Sequence, residues 1–366
     1  MCSSAKYSKV ILLCSVPFQY PNTVQMKNLY ILVILLITGI SGTYGQDPHF
    51  SQFFEAPLLR NPSLAGIFNG DVRAQAVYRS QWASITTPYI TGSLNVEYKQ
   101  PIGKMDDYIT TGLEILYDKA GSTNFTTTNV LPAINYHKAM STDKSKYLSL
   151  GFMGGWVQRR IDRSKITTNN QFDGNGYNPG LADGETFNQS SYNYLDGSVG
   201  MSYNSYIGNN SEQSYFVGIA YHHFNRPHNS FYKNPEIELN PKWVVSGGVK
   251  FSVNEVSFLT LQADYSKQGN YNEAIGGAMY SYKIGNDYQN PDYIIHFGGY
   301  LRWKDAFIPV IKLDYHPFAI AVSYDVNTSP LKTVSQSRGG FELSVTYEGF
   351  LDRGNSTKDA VMCPRF

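Results

Sequence analysis

From residue 72 onward, apolar and polar residues alternate along this chain with a period of two. In residues 89 to 99, Ile90, Gly92, Leu94, Val96 and Tyr98 alternate with Thr91, Ser93, Asn95, Glu97 and Lys99. Successive strand side chains point to opposite faces, so alternation of this length predicts strands with one oily and one wet face. The pattern predicts strands over Val72 to Tyr78, Tyr89 to Lys99, Ile109 to Asp118, Val130 to Lys138, Tyr147 to Gln158, Tyr194 to Tyr206 and Tyr215 to His223. It continues over Trp243 to Phe251, Ser257 to Ser266, Ala274 to Ile284, Tyr293 to Trp303, Phe307 to Tyr315, Phe318 to Asp325 and Gly340 to Tyr347. The later runs are the cleanest, and Pro132 interrupts the run from Val130 to Lys138.

Many of these runs begin or end on an aromatic residue, as in Tyr89 and Tyr98, Trp243 and Phe251, Tyr293 and Trp303, and Phe307 and Tyr315. Aromatic ends around an apolar middle form the girdle pattern of an outer-membrane barrel, although a soluble sandwich also alternates and carries Tyr. The even strand count, and segments of about ten residues that match a tilted spanning strand, favour the barrel. The chain is therefore expected to be all-β, a transmembrane antiparallel β-barrel of about 14 strands. Arg73, Gln75, Arg79, Glu97, Glu114, Asp196, Lys250, Asp264, Arg302, Lys312, Asp314 and Glu342 would face inward. A lumen of this size, between filled eight-stranded barrels and open porins, needs water or a plug. Residues 315 to 318 (YHPF) read as a tight periplasmic hairpin, whereas 159 to 193 and 226 to 242 read as long outer loops.

Met26 and Lys27 precede an apolar run from Leu29 to Ile40, and the small residues Thr43 and Gly45 suit cleavage before Gln46. Residues 26 to 45 read as a signal peptide, too short to span a membrane as a helix, so the chain is expected to be exported. Residues 1 to 25 read as an upstream over-extension, with Val10 to Ser15 a weaker competing apolar run. Leu12 and Leu13 stand before Cys14 where a lipoprotein site would need small residues. Beyond the cleavage point only Cys363 remains, so no intramolecular disulfide can form.

Residues 46 to 70 differ from the rest. Phe50, Phe53, Phe54, Leu58, Leu59 and Leu64 are broken by Pro48, Pro57 and Pro62, which disfavours both a regular helix and a central strand. A leader this oily is expected to pack against the barrel wall or fill the lumen. Residues 71 to 348 would form the barrel and 349 to 366 a tail.

A formal net charge of +1 gives no basic stripe for nucleic acid. His222, His223 and His228 could suggest a metal, but neighbouring strand residues point to opposite faces, so His222 and His223 are expected not to share an ion. No nucleophile elbow, phosphate-binding glycine loop, paired HxxxH helix or lipid-facing Ser–His pair occurs. Neither catalysis nor a cofactor is expected.

The opening Asp47, Pro48, Phe50, Ser51, Gln52, then Pro57 and the run Asn61-Pro62-Ser63-Leu64-Ala65-Gly66, followed by Arg79-Ser80-Gln81-Trp82, resembles the start of the PorP/SprF family of outer-membrane proteins. Tyr324-Asp325-Val326-Asn327, Gly339-Gly340-Phe341-Glu342-Leu343-Ser344 and the terminal Cys363-Pro364-Arg365-Phe366 are similar to that family's closing motifs. The resemblance spans residues 46 to 366. It implies a barrel of the type IX secretion and gliding machinery of Bacteroidota, whose members help secreted proteins such as adhesins reach or stay at the cell surface. Implied partners are a client's C-terminal targeting domain, other secretion components and the lipid bilayer. It carries no catalytic residues over. A passive porin or solute channel is the alternative suggested by the polar inner face, and a soluble exported β-sandwich or carbohydrate-binding module a third.

Overall fold

The computed structural model describes residues 47–102, 107–142, 145–185, 189–208, 210–288 and 290–352. The signal segment, the upstream residues, Gln46 and the closing Cys363-Pro364-Arg365-Phe366 lie outside the described residues.

Fourteen antiparallel strands close on themselves, each paired with its sequence neighbours and β1 paired with β14. They are β1 (Val72–Gln81), β2 (Tyr89–Ile102), β3 (Asp107–Ala120), β4 (Phe125–Ala139), β5 (Lys146–Arg160), β6 (Ser191–Ile207) and β7 (Asn210–His222). The circle continues with β8 (Lys242–Asn254), β9 (Ser257–Gln268), β10 (Tyr271–Ile284), β11 (Tyr293–Arg302), β12 (Ala306–Tyr315), β13 (Phe318–Asn327) and β14 (Arg338–Gly349). Each predicted run corresponds to one strand, most extended at the ends. The closing seam is continuous from Val72 opposite Gly349 to Gln81 opposite Gly340. A closed ring leaves no strand edge, which is what a bilayer demands of backbone polar groups.

The two prolines inside strands are tolerated because each leaves one side of its ladder. Pro132 stays in register with Leu113 of β3, while pairing with β5 lapses between Val130 and Ala133. Pro309 likewise pairs with Gly299 of β11, and pairing with β13 lapses between Phe307 and Val310. A residue without an N–H removes a ladder bond wherever it lies, and here each gap is local.

Alternation fixes the two faces. On β2, Leu94, Val96 and Tyr98 are exposed on the outside, while Thr91, Ser93, Asn95, Glu97 and Lys99 are buried inside. Residues 255–256 and 316–317 make tight turns at one end, the end at which β1 starts and β14 stops. The other end carries the long connections 161–190 and 223–241.

The lumen is filled by the chain's own residues 47–71. Three short helical turns, Phe53–Glu55, Pro57–Arg60 and Pro62–Leu64, fold this segment inside the ring. Its oily residues meet apolar patches of the inner wall: Phe53 packs with Met279, Tyr300 and Ile308, and Leu58 packs with Leu131, Ala133 and Met153. Burying one such side chain contributes about 1.5–3 kcal/mol, which explains why a segment inside a polar lumen is rich in Phe and Leu.

Candidate functional site

The plug is fastened by buried charge. Glu342, fully buried on β14, accepts the backbone N–H groups of Ser51 and Gln52, each at 2.7 Å. The Arg79 guanidinium of β1 stands 3.1 Å from the same carboxylate and 2.9 Å from Asp325 of β13. Arg302 of β11 reaches Asp325 at 2.5 Å and donates to the Ser51 hydroxyl at 3.1 Å. Arg79 also donates to the His49 carbonyl. The Gln52 amide donates to Ser323 at 3.0 Å and to the Glu342 carbonyl at 3.2 Å. Two arginines facing two carboxylates, with plug backbone completing the shell, satisfy charges that would be costly if left alone.

Further anchors follow the plug through the barrel. Glu55 takes Lys312 of β12 at 2.8 Å and the side chains of Gln75 (β1) and Thr346 (β14) at 2.9 and 3.2 Å. Arg60 forms a forked pair with Asp264 of β9, 2.5 Å at closest approach, with its guanidinium 4.8 Å from the Phe53 ring and 5.0 Å from that of Phe216. Asn61 caps the next turn by accepting from Ser63 N–H at 2.9 Å. The Asn135 amide of β4 donates to the Ser63 and Ala65 carbonyls at 2.7 and 2.9 Å. Glu97 accepts the Gly66 N–H at 2.7 Å and Arg73 at 2.6 Å.

Close approach explains two lumen glycines. A Cβ on Gly151 would lie 2.4 Å from the Pro62 carbonyl carbon, and one on Gly200 would lie 1.9 Å from Asn61 Oδ1. The Asn61-Pro62 turn therefore fits into a hollow that only residues without side chains provide.

At the long-loop end, His223 is held between Asp196 at 2.7 Å and Asp47 at 2.8 Å. Burial alone would lower the His223 pKa, but the two carboxylates raise it from 6.5 to about 9. Burial would raise the Asp47 carboxyl, yet His223, Lys242 and Gln268 hold it well below the usual carboxylate range. The expectation that His222 and His223 face opposite ways is corrected. Both are buried inside, with ring centroids 6.3 Å apart, because His223 takes a positive φ of 56° as the strand ends and the alternation stops there. His222 meets Ser198 at 3.0 Å, and His228 lies apart in the loop, bridged to Glu238. A cavity of about 60 Å³ remains here between plug and wall, bordered by Asp47, Asn129, Arg159 and His223.

The family model described as "Type IX secretion system membrane protein PorP/SprF" matches residues 42–347. The chain belongs to the PorP/SprF family. No curated protein matches its sequence. Among solved structures it is similar to the CymD monoaromatic hydrocarbon channel, at 9% identity and TM-score 0.46 over 82% of this chain and 94% of that one. The toluene transporter TodX of Pseudomonas putida gives the same identity, TM-score and coverage. The translocator domain of the autotransporter NalP from Neisseria meningitidis matches at 9% identity and TM-score 0.40, over 89% of this chain and 95% of that one. Membership of a family of secretion-system membrane proteins, with a closed ring of strands whose outer face is apolar, makes this PorP/SprF protein an outer-membrane β-barrel.

The structure distributes the family motif positions unevenly. Ser51, Gln52, Arg79, Asp325 and Glu342 converge on one buried network although they come from both ends of the chain. Asn61, Pro62, Ala65 and Gly66 line the lower plug, Phe50 packs with Ala56, Val77 and Leu116, and Pro57 opens a helical turn. Asp47 and Pro48 border the cavity. Gln81 and Gly340 pair at the top of the seam, and the Trp82 N–H donates to the Gly339 carbonyl at 2.9 Å. The Trp82 ring lies against Tyr89, and Tyr324 points outward, so neither joins the lumen network. Glu55, Arg60, Asn135 and His223 were not among the motif positions. A charge such as Arg60 inside an oily, proline-rich segment is the sequence signal by which an interior partner could have been found.

Proposed function

We propose that this PorP/SprF protein is a non-enzymatic receptor barrel that binds a secreted client through the client's C-terminal targeting domain and helps it to be exported or held at the surface. The observation that carries this reading is the filled lumen: residues 47–71 occupy the space a solute would use, and are tied to the wall by buried ion pairs. The cavity of about 60 Å³ beside Asp47 has room for a few waters only. With the bore closed, what the barrel offers to other molecules is its rim and loops. Other secretion components are the second class of partner in this reading.

The test has two parts. Deleting the gene should abolish surface display of the client, and the client should co-purify with the barrel from detergent. Unchanged display together with no co-purification would end the proposal. In planar bilayers the intact chain should give no large stable current, whereas deletion of residues 47–70 should open one. A large current from the intact chain would favour the porin reading instead.

A further inference from the structure

The anchors give the plug a direction through the wall. At the short-turn end, the Asp71 N–H donates to the Gly349 carbonyl at 2.8 Å, and the Asp71 carboxylate accepts the Leu351 N–H at 2.8 Å. Asp47 lies at the other end. Its carboxylate reaches His223, which follows the last residue of β7, at 2.8 Å, and Gln268, the last residue of β9, at 3.2 Å. Lys242, the first residue of β8, stands 3.8 Å away, and the Asp47 N–H donates to Gln268 Oε1 at 3.0 Å. Those strand ends all border the long-loop mouth, where residues 223–241 join β7 to β8. Between the two ends the order is regular: Ser51 and Gln52 meet Glu342 near the top of β14, Arg60 meets Asp264 within β9, and Gly66 meets Glu97 near the bottom of β2.

In outer-membrane barrels the short turns face the periplasm and the longer loops face outside. We propose that the amino end of the mature chain is displayed at the cell surface, at the long-loop mouth, while the chain leaving β14 emerges in the periplasm. The plug is then a strap that crosses the membrane inside the barrel and presents its free end to a protein already outside the cell. For the identity of that partner, a secreted client, the inference rests on the receptor reading above; the topology does not depend on it. Asp47, Pro48 and His49 are half-buried rather than sealed, as an end that can be reached from outside requires.

The test is a labelling experiment on intact cells. A short epitope is inserted between Gln46 and Asp47, and single cysteines are placed at Asn175 in the long loop and at Glu255 in a short turn, in a Cys363→Ser background. Antibody should bind the epitope, and an impermeant maleimide should label Asn175→Cys, without permeabilisation. Glu255→Cys should react only once the outer membrane is opened. Epitope binding confined to permeabilised cells, or labelling of Glu255→Cys in intact ones, would overturn the proposal. If the insertion fails to assemble, Pro48→Cys replaces it, with the same expected and overturning results. Repeating the labelling without the client gene separates the two readings, since loss of the client leaves the topology unchanged.

Discussion

Replacing Glu342 by Gln keeps the shape of the side chain but turns one of its two acceptor oxygens into a donor. Both oxygens are used: Ser51 N–H and Gln52 N–H each donate to a different one at 2.7 Å, with the Arg79 guanidinium 3.1 Å from the first. The substitution leaves one plug N–H facing an NH2 group with no water to turn to, because Glu342, Ser51, Gln52 and Arg79 are fully buried. A buried donor left unsatisfied costs about 1–3 kcal/mol, and losing a hydrogen bond to a charged group costs about 1.5–3 kcal/mol. The upper plug should therefore be destabilised by about 3–5 kcal/mol, which at ~1.4 kcal/mol per tenfold raises its undocked population roughly a hundredfold to a few thousandfold. Amide hydrogen exchange in detergent reads this directly, since local opening sets exchange in a docked segment. Protection at Ser51 and Gln52 should fall by that factor while the β1–β14 ladder stays protected. Less than a tenfold loss at these amides would refute the reasoning. An equal loss along the ladder would also refute it, because the barrel rather than the plug would then depend on Glu342.

The other predictions follow from the same contacts. Gly151→Ala places a Cβ against the Pro62 carbonyl and should loosen residues 61–66 by about 1–3 kcal/mol, whereas Gly92→Ala, with nothing within 4 Å, should be neutral; hydrogen exchange compares them. Ile311→Arg, in the middle of β12 with its side chain 58% exposed on the outer face, should destabilise the barrel in bilayers by about 2–4 kcal/mol, and Trp303→Arg beyond the end of β11 by about 0–1. His223 is raised from 6.5 to about 9, so its attraction to Asp47 and Asp196 is fully present below 6.5 and lost as pH rises through 9; the protection factors of the Asp47 and His49 amides, taken relative to base-catalysed exchange of the free peptide at each pH, should fall between pH 7 and 10. His223→Gln should abolish that fall in protection.

The strands were legible because alternation is local. The runs ending in Ser266, Asp325 and Tyr347 could be placed from their own residues, and so could the inward side chains of Arg79, Asp264, Lys312 and Glu342. Strand ends were less visible: β4 starts at Phe125 rather than Val130, since Thr126, Thr127 and Thr128 pair with β5 without any oily face to announce them. His223 was misplaced because an alternation rule holds only while the strand lasts, and the positive φ that ends β7 turns its ring inward.

By itself the sequence determined that the wall is a sheet with unlike faces, that about fourteen alternating runs build it, and that the segment after residue 46 is too oily to stay in water. Each is a property of neighbouring residues under backbone geometry and the hydrophobic effect. Only the tertiary structure decided what the wet face touches. Ser51 and Glu342 stand 291 positions apart, and Arg60 and Asp264 stand 204 apart, so no local rule pairs them. Closing the ring fixes which strand faces which stretch of plug, and the cost of a buried, unpaired charge then selects the partners.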